Sequence, residues 1–447
     1  MNKSKNVMES KPILSLLLTM SVPPIISMLI QSMYNIVDSI FVAQIGEKAL
    51  TAVSLIFPLQ NMVSAVAIGF GVGLNSCIAI NLGAKNNEKI NRAVSNGIIL
   101  TLIHGIIFIL VGIFLTKPFL RMFTNDPEIF KWGYEYGVIV MCCSIGILYQ
   151  LVLEKMYQAI GSMIIPMVLQ IVGCIINIVL DPIFIFGGFG IPAMGVVGAA
   201  IATVIGQMSA FIIYVIIFRK NNHGIIVSFK GFKFDKEIVK SLYSVGLPSS
   251  IMMALPSVLV SVLNGILVTL SQSAVAFLGI YFKLQTFVYM PANGLLQGMR
   301  PIIGYNYGAK EKERMLKTIK TSIAIVIMIM ILGSCISIFF PSYILKMFNA
   351  ESELMALGIP ALKIISTGFI FSAIPIVFSG VFEGIGDGMR SLTITLLRQL
   401  IIIIPAAMIL AKVFGINGVW ISFPLSEFVA MIISIVLMKV KLRTIEV

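Results

Sequence analysis

The sequence predicts an all-α polytopic membrane protein with about 12 transmembrane helices, arranged as two parallel six-helix repeats, or lobes. Three observations carry this. The 447 residues are 58% hydrophobic and only 11% charged, with a mean hydropathy of +1.02, a balance that excludes a soluble globular protein. Apolar runs of spanning length recur from one end of the chain to the other. The first half also aligns on the second at a constant offset of 225 residues, Pro23 falling on Pro248.

The apolar runs lie at roughly 13–41, 50–80, 93–116, 134–158, 164–187, 195–218, 241–270, 274–303, 319–340, 357–382, 391–413 and 418–438. Each is long enough to cross the hydrocarbon core as a helix. The run after the basic stretch at Met1 to Lys11 is too long for a cleaved leader and lacks a small-residue cleavage site, so it reads as the first span. No polar stretch is long enough for a separate soluble domain. The longest polar linker, Arg219 to Lys240, divides the chain into an N-terminal lobe (1–219), a cytoplasmic linker (220–240) and a C-terminal lobe (241–447).

The offset also brings Gln60 onto Gln285, Gly69 onto Gly294 and Gly73 onto Gly298. Gly83-Ala84-Lys85 falls on Gly308-Ala309-Lys310, Met122-Phe123 on Met347-Phe348, and Gly161 on Gly386. A gap-free register of this length indicates duplication. With six spans per half, the second half enters the membrane as the first does, which is the architecture of a secondary transporter.

The net charge of +13 is not a nucleic-acid signature, because the basic residues gather in alternate loops. Lys85, Lys89 and Arg92 form one group; Arg219, Lys220, Lys230, Lys233, Lys236 and Lys240 a second; Arg300, Lys310, Lys312, Arg314, Lys317 and Lys320 a third. Lys3, Lys5 and Lys11 at one terminus match Lys439, Lys441 and Arg443 at the other. This bias predicts cytoplasmic termini and a multi-pass protein of the inner (plasma) membrane. The five cysteines are scattered through apolar runs, with neither a disulfide framework nor zinc spacing.

Acids inside such runs are costly and point to function. Gln31, Asn35 and Asp38 fall on one face of the first span. Asn177 and Asp181 stand one turn apart in the fifth, where Pro182 has no amide proton for the Ile178 carbonyl. A carboxylate, an amide and a freed carbonyl in one turn suit sodium or a proton. The alternatives are that Asp38 sits at headgroup level and that Asp181-Pro182 ends its helix at the surface. Under the 225 offset Asp38 meets Leu263, beside Asn264, and Asp181 meets Ala406, so the membrane acids are expected in the first lobe alone.

Other polar residues read less sharply. Thr203, among small residues, is explained by helix packing and a hydroxyl bonded to its own helix. Lys283 lies deep in the eighth span and is expected to pair with an acid or line a cavity; Arg398 reads as structural. Glu154 and Lys155 are expected to be solvated or locally paired, and His104 packed. Gly69-Phe70-Gly71-Val72-Gly73 has no preceding strand and reads as helix packing, not a dinucleotide loop. Gly384-Ile385-Gly386-Asp387 resembles an intramembrane aspartyl protease motif, but its repeat partner is Ala159-Ile160-Gly161-Ser162, a turn without an acid.

Pro23, Gln31, Tyr34 and Asp38, with Asn177-x-x-x-Asp181-Pro182 and Gln297-Gly298-x-x-Pro301-x-x-Gly304-x-Asn306-x-Gly308-Ala309, resemble the multidrug and toxin extrusion (MATE) family. The resemblance spans nearly the whole chain. It implies a monomeric antiporter, not an enzyme, that exports small amphipathic organic cations through the bilayer in exchange for sodium or protons, with no cofactor besides that ion. It also implies a coupling site of Asp38, Asn177, Asp181 and Thr203, sodium being held by Asp38 and Asp181. Gln31, Tyr34, Asn35, Asn264 and Lys283 are the expected cavity residues. The second-lobe acids that some members use have no match here, Asn264 standing where one is expected. The rival readings are a flippase for lipid-linked precursors, which would need more cavity cations than Lys283 and Arg398, and a protease using Asp387.

Overall fold

The computed structural model describes residues 7–220, 232–348 and 350–444. Part of the expected linker, 221–231 with Lys230, lies outside the described residues, as do Lys3 and Lys5. The spans are α1 (Ile13–Ile45), α2 (Glu47–Gly83), α3 (Asn87–Arg121), α4 (Pro127–Cys142 and Ile145–Ala159), α5 (Ile164–Phe186) and α6 (Val196–Lys220). In the second half they are α7 (Lys236–Val268), α8 (Gln272–Gly308), α9 (Lys312–Phe339), α10 (Ser352–Gly384), α11 (Gly388–Phe414) and α12 (Ile416–Thr444). Eleven are single helices long and apolar enough to cross a membrane; α4 is the twelfth if its two parts, bent by 46°, form one span.

Two spans depart from the uninterrupted helices expected. α4 breaks at Cys143-Ser144, and α11 carries a π-helical segment at Leu397–Ile401, where the Ile402 amide reaches the Leu397 carbonyl at 3.1 Å. Pro405 offers no N–H to the Ile401 carbonyl, so the ladder loses its partner just beyond that turn.

The duplication is written into the backbone. Lys85 and Lys310 both adopt positive φ (57° and 60°), and the turns around them close with the same bonds, Asn86 N–H to the Asn81 carbonyl and Glu311 N–H to the Asn306 carbonyl, each 2.9 Å. Asn81 and Asn306 each donate to the carbonyl four residues back, at 2.8 Å. Gly161 and Gly386 share a φ of 85°, a left-handed value that glycine adopts without penalty.

The chain divides into two compact units. One is Val22–Ser250; the other joins Met1–Ser21 to Ile251–Val447. In the first, Phe70, Leu74, Ile78, Val94, Met156 and Tyr157 build one buried cluster. Glycines let α2 and α7 meet there. A Cβ on Gly69 would stand 2.4 Å from the Ser250 amide nitrogen. The Gly69-x-Gly71-x-Gly73 run is therefore a packing surface, as the sequence suggests. The second unit has an aromatic core in which Trp420, Phe277, Tyr281 and Phe369 are fully buried. Outward apolar side chains such as Phe114 (68% exposed) and Phe339 (73%) are what a lipid-facing surface requires.

Candidate functional site

Five helices of the Val22–Ser250 unit bring polar side chains together. α5 runs through Asp181-Pro182 to Phe186 and stops at Gly187, whose φ is 85°. Asp181 is therefore not at a helix end: it is completely buried. α1 likewise continues to Ile45, and Asp38 is half-buried. The two carboxyl groups face each other within interaction range.

Asn177, one turn before Asp181, is buried as well. In the amide orientation that satisfies both its ends, its nitrogen donates to Asp181 Oδ2 at 2.8 Å and its oxygen accepts from the Thr203 amide at 2.9 Å. Thr203 is buried on α6, and its hydroxyl reaches Tyr34 of α1 and Tyr136 of α4. The expectation that this hydroxyl serves only its own helix does not hold. Gln60 of α2 completes the group by donating to the Tyr136 hydroxyl at 3.2 Å.

Beside this cluster runs a chain of amides. Gln150 of α4 donates to Gln170 of α5 at 3.0 Å; Gln170 donates to Gln31; Gln31 donates to the exposed Asn35 at 3.3 Å. Four residues here escaped the sequence reading: Gln60, Tyr136, Gln150 and Gln170. The match of Gln60 with Gln285 was the available signal for the first. The others lie in spans where nothing in the spacing distinguishes them from packing residues.

The site offers hard oxygen donors and a missing charge. Two carboxylates facing each other away from water cannot both stay ionised; a proton or a cation must sit with them. Asp38 Oδ1 and Asp181 Oδ1 are buried without a hydrogen-bond partner, so the residues present fit either occupant.

The remaining expectations fare unevenly. Lys283 is exposed and pairs with no acid among the described residues, and Asn264 is half-buried. His104 is packed, edge-on to Phe70 and 2.8 Å from the Tyr243 hydroxyl. Lys155 is buried, not solvated, with its ammonium 2.8 Å from Glu154 and 3.1 Å from Gln158. Asp387 lies in a turn with Arg390 and Lys441 against its carboxylate, an ion cluster and not a catalytic acid. The expectation that membrane acids are confined to the first lobe is wrong. Glu427 of α12 sits inside its span, 2.7 Å from Arg398 of α11. The apolar run hid it, because its partner lies on another helix.

The MatE family model matches residues 23–183 and 248–409, one match in each half. The multidrug export protein MepA of Staphylococcus haemolyticus (strain JCSC1435) is 29% identical over 422 residues, covering 94% of this chain and 92% of the relative. MepA of Staphylococcus aureus (strain MRSA252) is 28% identical over 420 residues, with the same coverage. Among solved structures, a MOP superfamily transporter from Pyrococcus furiosus superposes with a TM-score of 0.91 at 26% identity over 99% of both chains. An outward-facing multidrug resistance MATE transporter gives 0.90 at 26%, again over 99% of both.

Proposed function

Because the chain belongs to the MATE family of multidrug efflux transporters, we propose that it is a secondary antiporter exporting amphipathic organic cations in exchange for sodium or protons. The observation that carries this reading is that Asp38 and Asp181 face each other, each with a buried carboxyl oxygen that lacks a hydrogen-bond partner. Such a pair is unstable until a proton or a monovalent cation joins it, so its occupancy is sensitive to an ion gradient. Asn177 and Thr203 orient the pair: the amide holds Asp181 Oδ2, and the hydroxyl ties Tyr34 and Tyr136 to the same turn of α6.

Transport then follows from linkage. An ion that binds one conformation more tightly than another shifts the equilibrium by that difference, and the drug's affinity shifts reciprocally. Gln31, Tyr34, Asn35, Asn264 and Lys283 are the proposed drug-contacting residues. The alternation of basic loops supports cytoplasmic termini, a plasma-membrane location and a lobe division at the 220–240 linker; the protein acts as a monomer.

The test is efflux of a fluorescent organic cation from loaded proteoliposomes, with sodium and pH gradients imposed one at a time. One gradient should drive efflux and the other should not. Efflux indifferent to both would end the antiport reading.

A further inference from the structure

In the second unit, α11 and α12 carry a buried charge pair that the proposed coupling site does not use. The Arg398 Nε lies 2.7 Å from each carboxylate oxygen of Glu427, and both side chains are nearly out of reach of solvent (12% and 13% exposed). The single Nε–H points at Oε1, which leaves Oε2 without a hydrogen of its own. The guanidinium stands 5.7 Å from the centroid of the Tyr289 ring, and the Tyr289 hydroxyl donates to Ser372 of α10 at 2.9 Å. The Gln285 amide lies within interaction range of the Tyr281 and Tyr289 hydroxyls. The groups facing the pair are thus a carboxylate, an aromatic face, two phenols and an amide, the chemistry that holds a cation.

Two features connect this cluster with the first-lobe site. The helices that carry it are the fifth and sixth of the second half, as α5 and α6, which carry Asn177, Asp181 and Thr203, are of the first. Gln285 is the repeat partner of Gln60; Gln60 donates to Tyr136, and Gln285 stands beside Tyr289, each tyrosine being near its lobe's buried acid. The difference is the cation. In the first lobe two carboxyl groups share a missing charge; in the second an arginine supplies it. The π segment at Leu397–Ile401 inserts an extra residue into the turn that bears Arg398, which re-aims the side chains of that turn.

We propose that Glu427, Tyr289 and Gln285 form a second cation site whose permanent occupant is the chain's own Arg398 guanidinium. This lobe therefore carries no exchangeable ion, and removing the guanidinium opens the carboxylate to a proton. The comparison with the first lobe rests on the coupling reading above, but the charge pair does not.

The test counts protonated carboxyl groups by infrared spectroscopy at neutral pH, above the range in which an ion-paired carboxylate takes a proton, in the purified full-length protein. It is made in an Asp38→Asn, Asp181→Asn background, so the role of the first-lobe acids does not enter. Adding Glu427→Gln should leave the count unchanged, because Glu427 paired with Arg398 is ionised and carries no proton. Adding Arg398→Gln should raise the count by one carboxyl per chain, and the Arg398→Gln, Glu427→Gln pair should return it to the starting value. Arg398→Lys, which keeps the charge, should add none. Loss of a protonated carboxyl with Glu427→Gln overturns the proposal, and that arm does not depend on how Arg398→Gln folds. No gain in folded Arg398→Gln, or a gain in Arg398→Lys, overturns it as well.

Discussion

Gly73 of α2 and Leu242 of α7 approach so closely that a Cβ on Gly73 would stand 2.2 Å from the Leu242 carbonyl oxygen. The obstacle is backbone, which cannot swing aside as a side-chain tip can. Gly73→Ala should therefore force the two helices apart, at a cost of about 1–3 kcal/mol for overpacking. Gly265→Ala, inside a helix with nothing within 4 Å, is the control and should leave melting in detergent unchanged or slightly raised. Equal melting temperatures for the two variants would refute the close approach.

Asp38→Asn should abolish ion-coupled efflux while the protein remains folded and inserted. A neutral isostere at a half-buried position removes a charge-burial cost and adds none. Transport assayed beside thermal melting in one preparation separates the two effects. Normal efflux under the same gradient would exclude Asp38 from the coupling site.

Lys283→Met should change stability by less than about 0.5 kcal/mol, since the side chain is exposed and pairs with no acid among the described residues. Transport of cations and zwitterions should weaken if Lys283 contacts drug as proposed. Wild-type transport across a substrate panel would remove it from that role.

Arg398→Met should destabilise the second unit, by less than the roughly 3–5 kcal/mol of an uncompensated buried charge, because Glu427 loses its partner and takes a proton in its place. The companion Arg398→Met, Glu427→Leu should recover most of that loss, since apolar replacement of a whole buried pair is often neutral. If the losses of Arg398→Met and of Glu427→Leu alone add up to that of the double, the charges do not interact.

Asp235 starts α7, accepting from the amides of Glu237 at 3.0 Å and Ile238 at 3.2 Å. The Ile238 amide, with the Arg92 guanidinium and the Glu237 amide, holds its carboxyl below the usual carboxylate range. Its stabilisation is therefore complete above about pH 4, the ordinary aspartate value, and fades as pH falls through the lowered one. Asp235→Ala should cost about 1 kcal/mol at neutral pH, as loss of a helix cap does, and less in acid. Melting followed at neutral and acid pH tests this; a difference that grows in acid would contradict it.

The sequence by itself determined the spans, the duplication and the identity of the first-lobe acids. Apolar run length dictates helices in a bilayer, and a gap-free repeat dictates matching turns, as Lys85 and Lys310 display. Asn177 and Asp181 were legible because both lie within one turn of one helix, where spacing alone sets their neighbourhood. Only the tertiary structure decided which side chains meet across helices. Thr203 with Tyr34 and Tyr136, Asp38 with Asp181, and Arg398 with Glu427 are each joined by packing between separate spans. A buried charge or hydroxyl must find a partner, but the one-dimensional pattern does not say on which helix. For that reason Glu427 passed as part of an apolar run until the fold set Arg398 against it.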